Sequence, residues 1–269
     1  MNPHFTKGRA GKNFLVSFRR QDKLPVAAFL IIPPLAEELN KSRRMLCRMA
    51  NHLAELGFEV VMPDLFGTGD SEGDFADATW DLWREDLFDI CTGLKANGYN
   101  INILAVRAGA LLAYDLMSNK NLNCENLVFW QPVVSGDMWL TQFLRLKLAA
   151  SIVNDTGSKE TTKALKTRLS EGEAIEVAGY TVSPSLANGI KQLNLQNIAP
   201  SGCGKIFWLE LIASDGKSVL PSSKKVLEKW NQSVEVHSET VIGQAFWSTT
   251  EITDADNLLL RTKTLLSVN

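Results

Sequence analysis

The residues most able to do chemistry in this 269-residue chain surround Arg107. Ala105-Val106-Arg107-Ala108-Gly109 ends an apolar run (INILAV, 101–106) and opens a short helical pattern (AGALLAYDLM, 108–117). A strand, a tight turn and a helix with small flanking residues form the setting that holds a nucleophile above a sheet edge. Here the turn presents an arginine. A guanidinium stays protonated and has no lone pair with which to attack a carbonyl. What it offers is anion chemistry: a planar fork for carboxylate or phosphate, set above a helix N-terminus that also favours negative charge. Two kinds of partner follow. One is internal, Glu37 or Glu38 from the loop after an earlier strand. The other is a small anionic or acylated ligand, such as an acidic sugar, an acyl carrier phosphate or a fatty carboxylate. The residue types leave both open.

Nucleophilic catalysis also needs a base within about 3 Å of the nucleophile and an acid to orient that base. The loop after the last expected strand, residues 243–246, reads Gly-Gln-Ala-Phe, with Gln244 and no histidine to serve as that base. The chain has three histidines. His4 falls in a terminus expected to be loose, His52 on the first long helix, and His237 inside a strand. His237 precedes Gln244 by seven residues, which at ~3.3 Å per residue places it about 20 Å away. Asp215, in a Ser-Asp-Gly turn after a late strand, stands at the acid's place. Arg107, Glu37, Glu38, Gln244 and Asp215 are thus the candidate ligand-binding residues, and no catalytic residue is assigned. Asp70, Glu72, Asp74 and Asp81 echo calcium-loop spacing but have Phe75 where that loop needs glycine. Cys47, Cys91, Cys124 and Cys203 are scattered, without CxxC or a nearby histidine. They read as buried free thiols, and neither metal nor cofactor is expected.

The elements that must position these residues alternate. Strands are expected over 13–20, 26–32, 58–62, 101–106, 126–133, 205–213 and 233–241, with helices over 40–56, 79–95, 108–117 and 254–266. Runs such as VAAFLII (26–32) are apolar throughout, as strands buried on both faces are. Crossover helices between them argue for an α/β fold with a mainly parallel central sheet and helices on both faces. Residues 136–195 break the rhythm with helical patches and no clear strand. They read as a helical cap insertion into a core formed by 1–135 and 196–269.

Several segments resemble a known family. DLFGTGDS (64–71) matches the D-x-x-G-x-G-x-S loop of α/β-hydrolases, and Ile32-Pro33-Pro34-Leu35 stands where that fold has its oxyanion loop. PPLAEELNKSRRM (33–45), PDLFGTGDSEGDF (63–75), VVSGDMWLTQFLRLKLAA (133–150) and VAGYTVSP (177–184) resemble the second type of hydrolase associated with the exosortase A system. That resemblance implies an α/β-hydrolase fold, a bacterial setting of exopolysaccharide production and protein sorting, and partners within that system. The hydrolase label comes with the fold; Arg107 and the missing histidine point instead to a pseudoenzyme. The alternatives are an esterase or thioesterase using Glu37 or Glu38 with an activated water, and a protein-interaction module.

Composition narrows the classes. Apolar residues make up 45% and charged residues 22%, with a net charge of −2, so no basic surplus supports nucleic acid as a partner. The apolar run at 26–36 is interrupted by Pro33 and Pro34 and falls short of the ~20 residues of a membrane span. The first residues, MNPHFTKGRAGK, lack an apolar signal-peptide core. A cytoplasmic protein is expected.

Overall fold

A computed structural model describes residues 1–153, 160–197 and 201–267. Its frame is a sheet of eight strands: β1 (Asn2–Lys7), β2 (Lys12–Phe18), β3 (Ala27–Ile32), β4 (Phe58–Pro63), β5 (Ile101–Val106), β6 (Cys124–Trp130), β9 (Cys203–Ile212) and β10 (Val236–Ile242). Their spatial order is β1-β2-β4-β3-β5-β6-β9-β10. From β4 across to β10 every neighbouring pair is parallel, while β1–β2 and β2–β4 are antiparallel. Alternation along the buried strands builds two cores. On β3, Ala28, Leu30 and Ile32 face one side, and Phe29 and Ile31 the other.

The first core is closed by α2 (Trp80–Ala96), α3 (Gly109–Lys120) and α7 (Pro221–Trp230), through Trp83, Leu87, Leu112 and Trp230. The second is closed by α1 (Glu37–Glu55) and α8 (Asp256–Ser267), through Met45, Leu46, Met49, Leu258 and Leu259. The Thr79 hydroxyl caps α2 by accepting from the Leu82 amide, and Gly57, at φ 100°, turns the chain out of α1.

Between β6 and β9 the chain forms α4 (Gly136–Val153), α5 (Thr162–Ser170), the strands β7 (Ile175–Val177) and β8 (Tyr180–Val182), and α6 (Pro184–Lys191). β7 and β8 pair antiparallel across Ala178-Gly179. The strand-free reading of this stretch is therefore corrected: three-residue strands are too short to show an alternating pattern. Two further readings change. Residues Asn2–Lys7 form an edge strand in register with β2, so His4 is ordered in the sheet. The sequence pattern does not mark α7, because only Val226, Leu227 and Trp230 define its apolar face. Among the described residues, no helix is long and apolar enough to cross a membrane.

The close approach of α3 to β3 fixes the site. A Cβ on Gly109 would strike the carbonyl oxygens of Ile32 and Pro33. Gly109→Ala is expected to cost about 1–3 kcal/mol, because backbone cannot step aside as a flexible side chain can. Urea denaturation of the variant measures this.

Candidate functional site

Three parallel strands, β3, β5 and β6, deliver the site at their C-terminal ends, and non-glycine residues turn the chain there with positive φ. Ala36 stands at 52°, Arg107 at 55° and Gln131 at 44°. Such conformations cost on the order of 1–3 kcal/mol each and persist only where the surroundings over-determine them. Arg107 is fixed by its main chain. Its amide donates to the Trp130 carbonyl (3.0 Å), and its carbonyl accepts from Val133 (3.1 Å) and Ala110 (3.1 Å). The turn is an elbow, and its side chain rises over the sheet edge.

Each nitrogen of the guanidinium donates a hydrogen bond. Nη2 donates to Glu38 Oε1 at 2.9 Å, and Nε approaches both Glu38 oxygens at 3.2 and 3.3 Å. Nη1 donates to the Gln131 carbonyl at 3.3 Å. The plane lies over the Trp247 ring, 4.8 Å from its centroid, a cation–π contact. The ion pair is largely out of water, with 14% of the Arg107 and 13% of the Glu38 side chain exposed. Burial pushes the Glu38 carboxyl up, although the Arg107 charge pulls it back.

Glu37 and Glu38 occupy the first turn of α1, one turn earlier than the apolar pattern marks that helix. Its positive end favours both carboxylates. Glu37 has one buried oxygen without a hydrogen-bond donor, and burial raises its carboxyl to about 7, with the Glu38 charge adding to the rise. Above this corner lies Tyr180 of β8, whose hydroxyl accepts from Asn40 Nδ2 (3.2 Å) and whose ring packs edge-on to Phe75.

Of the sequence candidates, Arg107 and Glu38 meet and Glu37 sits beside them. Gln244 and Asp215 do not join the cluster. Gln244 is solvent-exposed, and the same loop instead turns Phe246 and Trp247 inward. Asp215 is exposed beyond the end of β9, accepting from the Gly216 amide at 2.9 Å. The buried acid of that strand is Glu210, already engaged by Trp208 Nε1 (2.8 Å) and the Leu220 amide (2.8 Å). Trp247, Gln131 and Glu210 lie beyond the reach of sequence reasoning. A tryptophan where chemistry needs a base gives no catalytic signal, though an aromatic beside the expected base position is a clue to a cation partner. No histidine reaches the elbow: His4 is on edge strand β1, His52 in the last turn of α1, and His237 on outer strand β10, paired with Glu239.

No protein-family model matches the sequence, and no curated protein matches it. Solved structures do match its fold. Est1E from Butyrivibrio proteoclasticus, with ferulic acid bound, superposes over 98% of this chain and 97% of its own, with a TM-score of 0.74 and 11% identity. A soluble variant of monoglyceride lipase from Saccharomyces cerevisiae, bound to a substrate analogue, covers 98% and 94% with a TM-score of 0.67 and 13% identity. A putative hydrolase from Agrobacterium vitis covers 99% and 97%, with a TM-score of 0.63 and 14% identity. The chain has the α/β-hydrolase fold.

Removing one member of a buried pair strands the other charge, so Arg107→Met is expected to lose roughly 3–5 kcal/mol at pH 8. The loss shrinks at pH 5, where Glu38 can take a proton, and adding Glu38→Gln restores most of it. Chemical denaturation of the two single variants and the double variant checks the coupling. Glu37 tests separately. A carboxyl raised from 4.5 to about 7 withdraws stability as pH climbs through that interval, because the folded state then binds more protons than the unfolded one. Glu37→Gln should therefore raise the melting temperature by a few degrees at pH 8 and leave it unchanged below pH 4.5.

Proposed function

We propose that this chain is a catalytically silent α/β-hydrolase-fold protein that acts as a binding component in an exosortase-associated, exopolysaccharide-producing system. The observation that carries the first half is the occupied guanidinium of Arg107. Where the fold presents a nucleophile, this chain holds a cation clamped by Glu38, the Gln131 carbonyl and the Trp247 ring. Trp247 comes from the loop that would supply the base. Serine–histidine chemistry has neither of its reacting atoms. The setting rests on the sequence resemblance, with partners among that system's own components.

An anionic or acylated ligand fits this reading in one way: its carboxylate replaces Glu38 on the arginine fork. Glu38 then loses its compensating charge while still buried and takes up a proton. Binding tightens as pH falls, and Arg107→Met abolishes it.

A second reading rests on Glu37. A carboxyl near pH 7 has the affinity wanted of a general base, and one of its oxygens has no donor. It would activate a water against an ester or thioester.

Fluorophosphonate labelling, an ester and thioester panel, and titration calorimetry with glucuronate and short acyl carboxylates separate these readings. The expected outcome is no labelling, no turnover above the Glu37→Ala, Glu38→Ala double variant, and glucuronate or acyl-carboxylate binding at least tenfold tighter at pH 6 than at pH 8. Turnover lost in Glu37→Ala overturns the silent reading. Neither turnover nor binding leaves docking to a protein of that system as the role.

A further inference from the structure

The four cysteines are far apart in sequence, yet the sheet brings two of them together. β6 and β9 run parallel, and their first residues, Cys124 and Cys203, are register partners. The Sγ atoms lie 3.3 Å apart across a sequence separation of 79. Met117 Sδ stands 3.8 Å from Cys124 Sγ, so the surroundings are soft and apolar on the buried side. The two thiols differ in access. Cys124 is 6% exposed, whereas Cys203 is half-buried. The hydrogen bond with the Cys203 sulfur, and then burial, hold the Cys124 proton on, pushing that thiol well up.

We propose that Cys124 and Cys203 form a modification site, a thiol pair that hydroperoxides convert to an intrachain disulfide. The accessible sulfur reacts first. The Cys203 thiolate attacks the peroxide O–O bond, which breaks to release water after protonation and leaves Cys203 as a sulfenic acid. Cys124 sulfur then attacks Cys203 sulfur, the S–S bond forms as the S–O bond breaks, and the Cys124 proton leaves with hydroxide as a second water. Two thiols are oxidised and one peroxide is reduced. The reaction needs little backbone movement, because the two sulfurs already lie 3.3 Å apart on residues that are register partners in adjacent strands.

The bond would tie together the strand from which the 136–191 segment departs and the strand to which it returns. It would cross-link the chain at the edge of the sheet opposite Arg107, leaving the ion pair untouched. Cys47 and Cys91 serve as internal controls: Cys47 lies on α1, and Cys91 is buried on α2, where burial pushes its thiol up to about 12.

The full chain, treated with a small molar excess of hydrogen peroxide, is expected to fall from four titratable thiols to two under denaturing conditions. It should become two hydrogens lighter and yield a Cys124–Cys203 linked peptide. Its melting temperature should rise by about 5–10 °C and return on adding dithiothreitol. Cys47→Ser with Cys91→Ser leaves the response intact, and Cys203→Ser removes it. Peptide mapping of the unmutated protein decides the question even if that variant fails to fold. Four surviving thiols, a bond to Cys47 or Cys91, or a sulfenic acid at Cys203 that dimedone traps without a later disulfide overturns the proposal.

Discussion

A positive charge held in a strained turn at the centre of a parallel sheet is the constraint around which the reaction corner is built. Arg107 cannot shed its proton, and the elbow leaves only 14% of its side chain exposed to water. Its neighbours must therefore supply both charge and hydrogen-bond acceptors. Glu38 supplies the charge, the Gln131 carbonyl a further acceptor, and Trp247 a π face. Each arrives from a different element: the first turn of α1, the end of β6 and the loop after β10. The ion pair and its neighbours thus join three connections, two of which are also tied by Arg44 and Arg48 of α1 to Asp254 beyond β10.

The same corner favours negative charge. The elbow holds one side chain in a fixed direction, with a helix N-terminus beneath it. Those features favour an anion whether it is a developing oxyanion or a resident carboxylate. Glu38 is the carboxylate that stands there, on the Arg107 fork. Glu37, lacking one donor and raised to about 7 chiefly by burial and further by the Glu38 charge, records the cost of taking a second acid out of water. The similarity to esterases and lipases at 11–13% identity concerns the backbone frame, and a frame of this kind hosts many chemistries.

Most of the sheet is legible in the apolar pattern of the chain. Runs such as 26–32 and 101–106 admit few conformations other than a strand buried on both faces. The spacing of small residues over 105–109 marks the elbow, and residues 243–246 after the last strand hold no histidine. The Glu38 partner is legible only as one of two neighbours, since a shift of one residue around a helix turns the side chain by about 100°. Gln244 and Asp215 lie outside the Arg107 cluster for a related reason. Position in a loop fixes proximity to a sheet edge and says nothing of which side chain the loop turns inward.

By itself, then, the sequence determined the layering of the chain, the arginine in the elbow and the absence of a histidine after the last strand. These follow from local periodicity and from residue chemistry, which no packing can change. Tertiary structure alone decided that Glu38 pairs and Glu37 does not, that Trp247 underlies the guanidinium, and that Cys124 meets Cys203. Each of these is a contact between side chains remote in sequence. Their geometry is set by strand register and loop closure, and neither is written in any single segment of the chain.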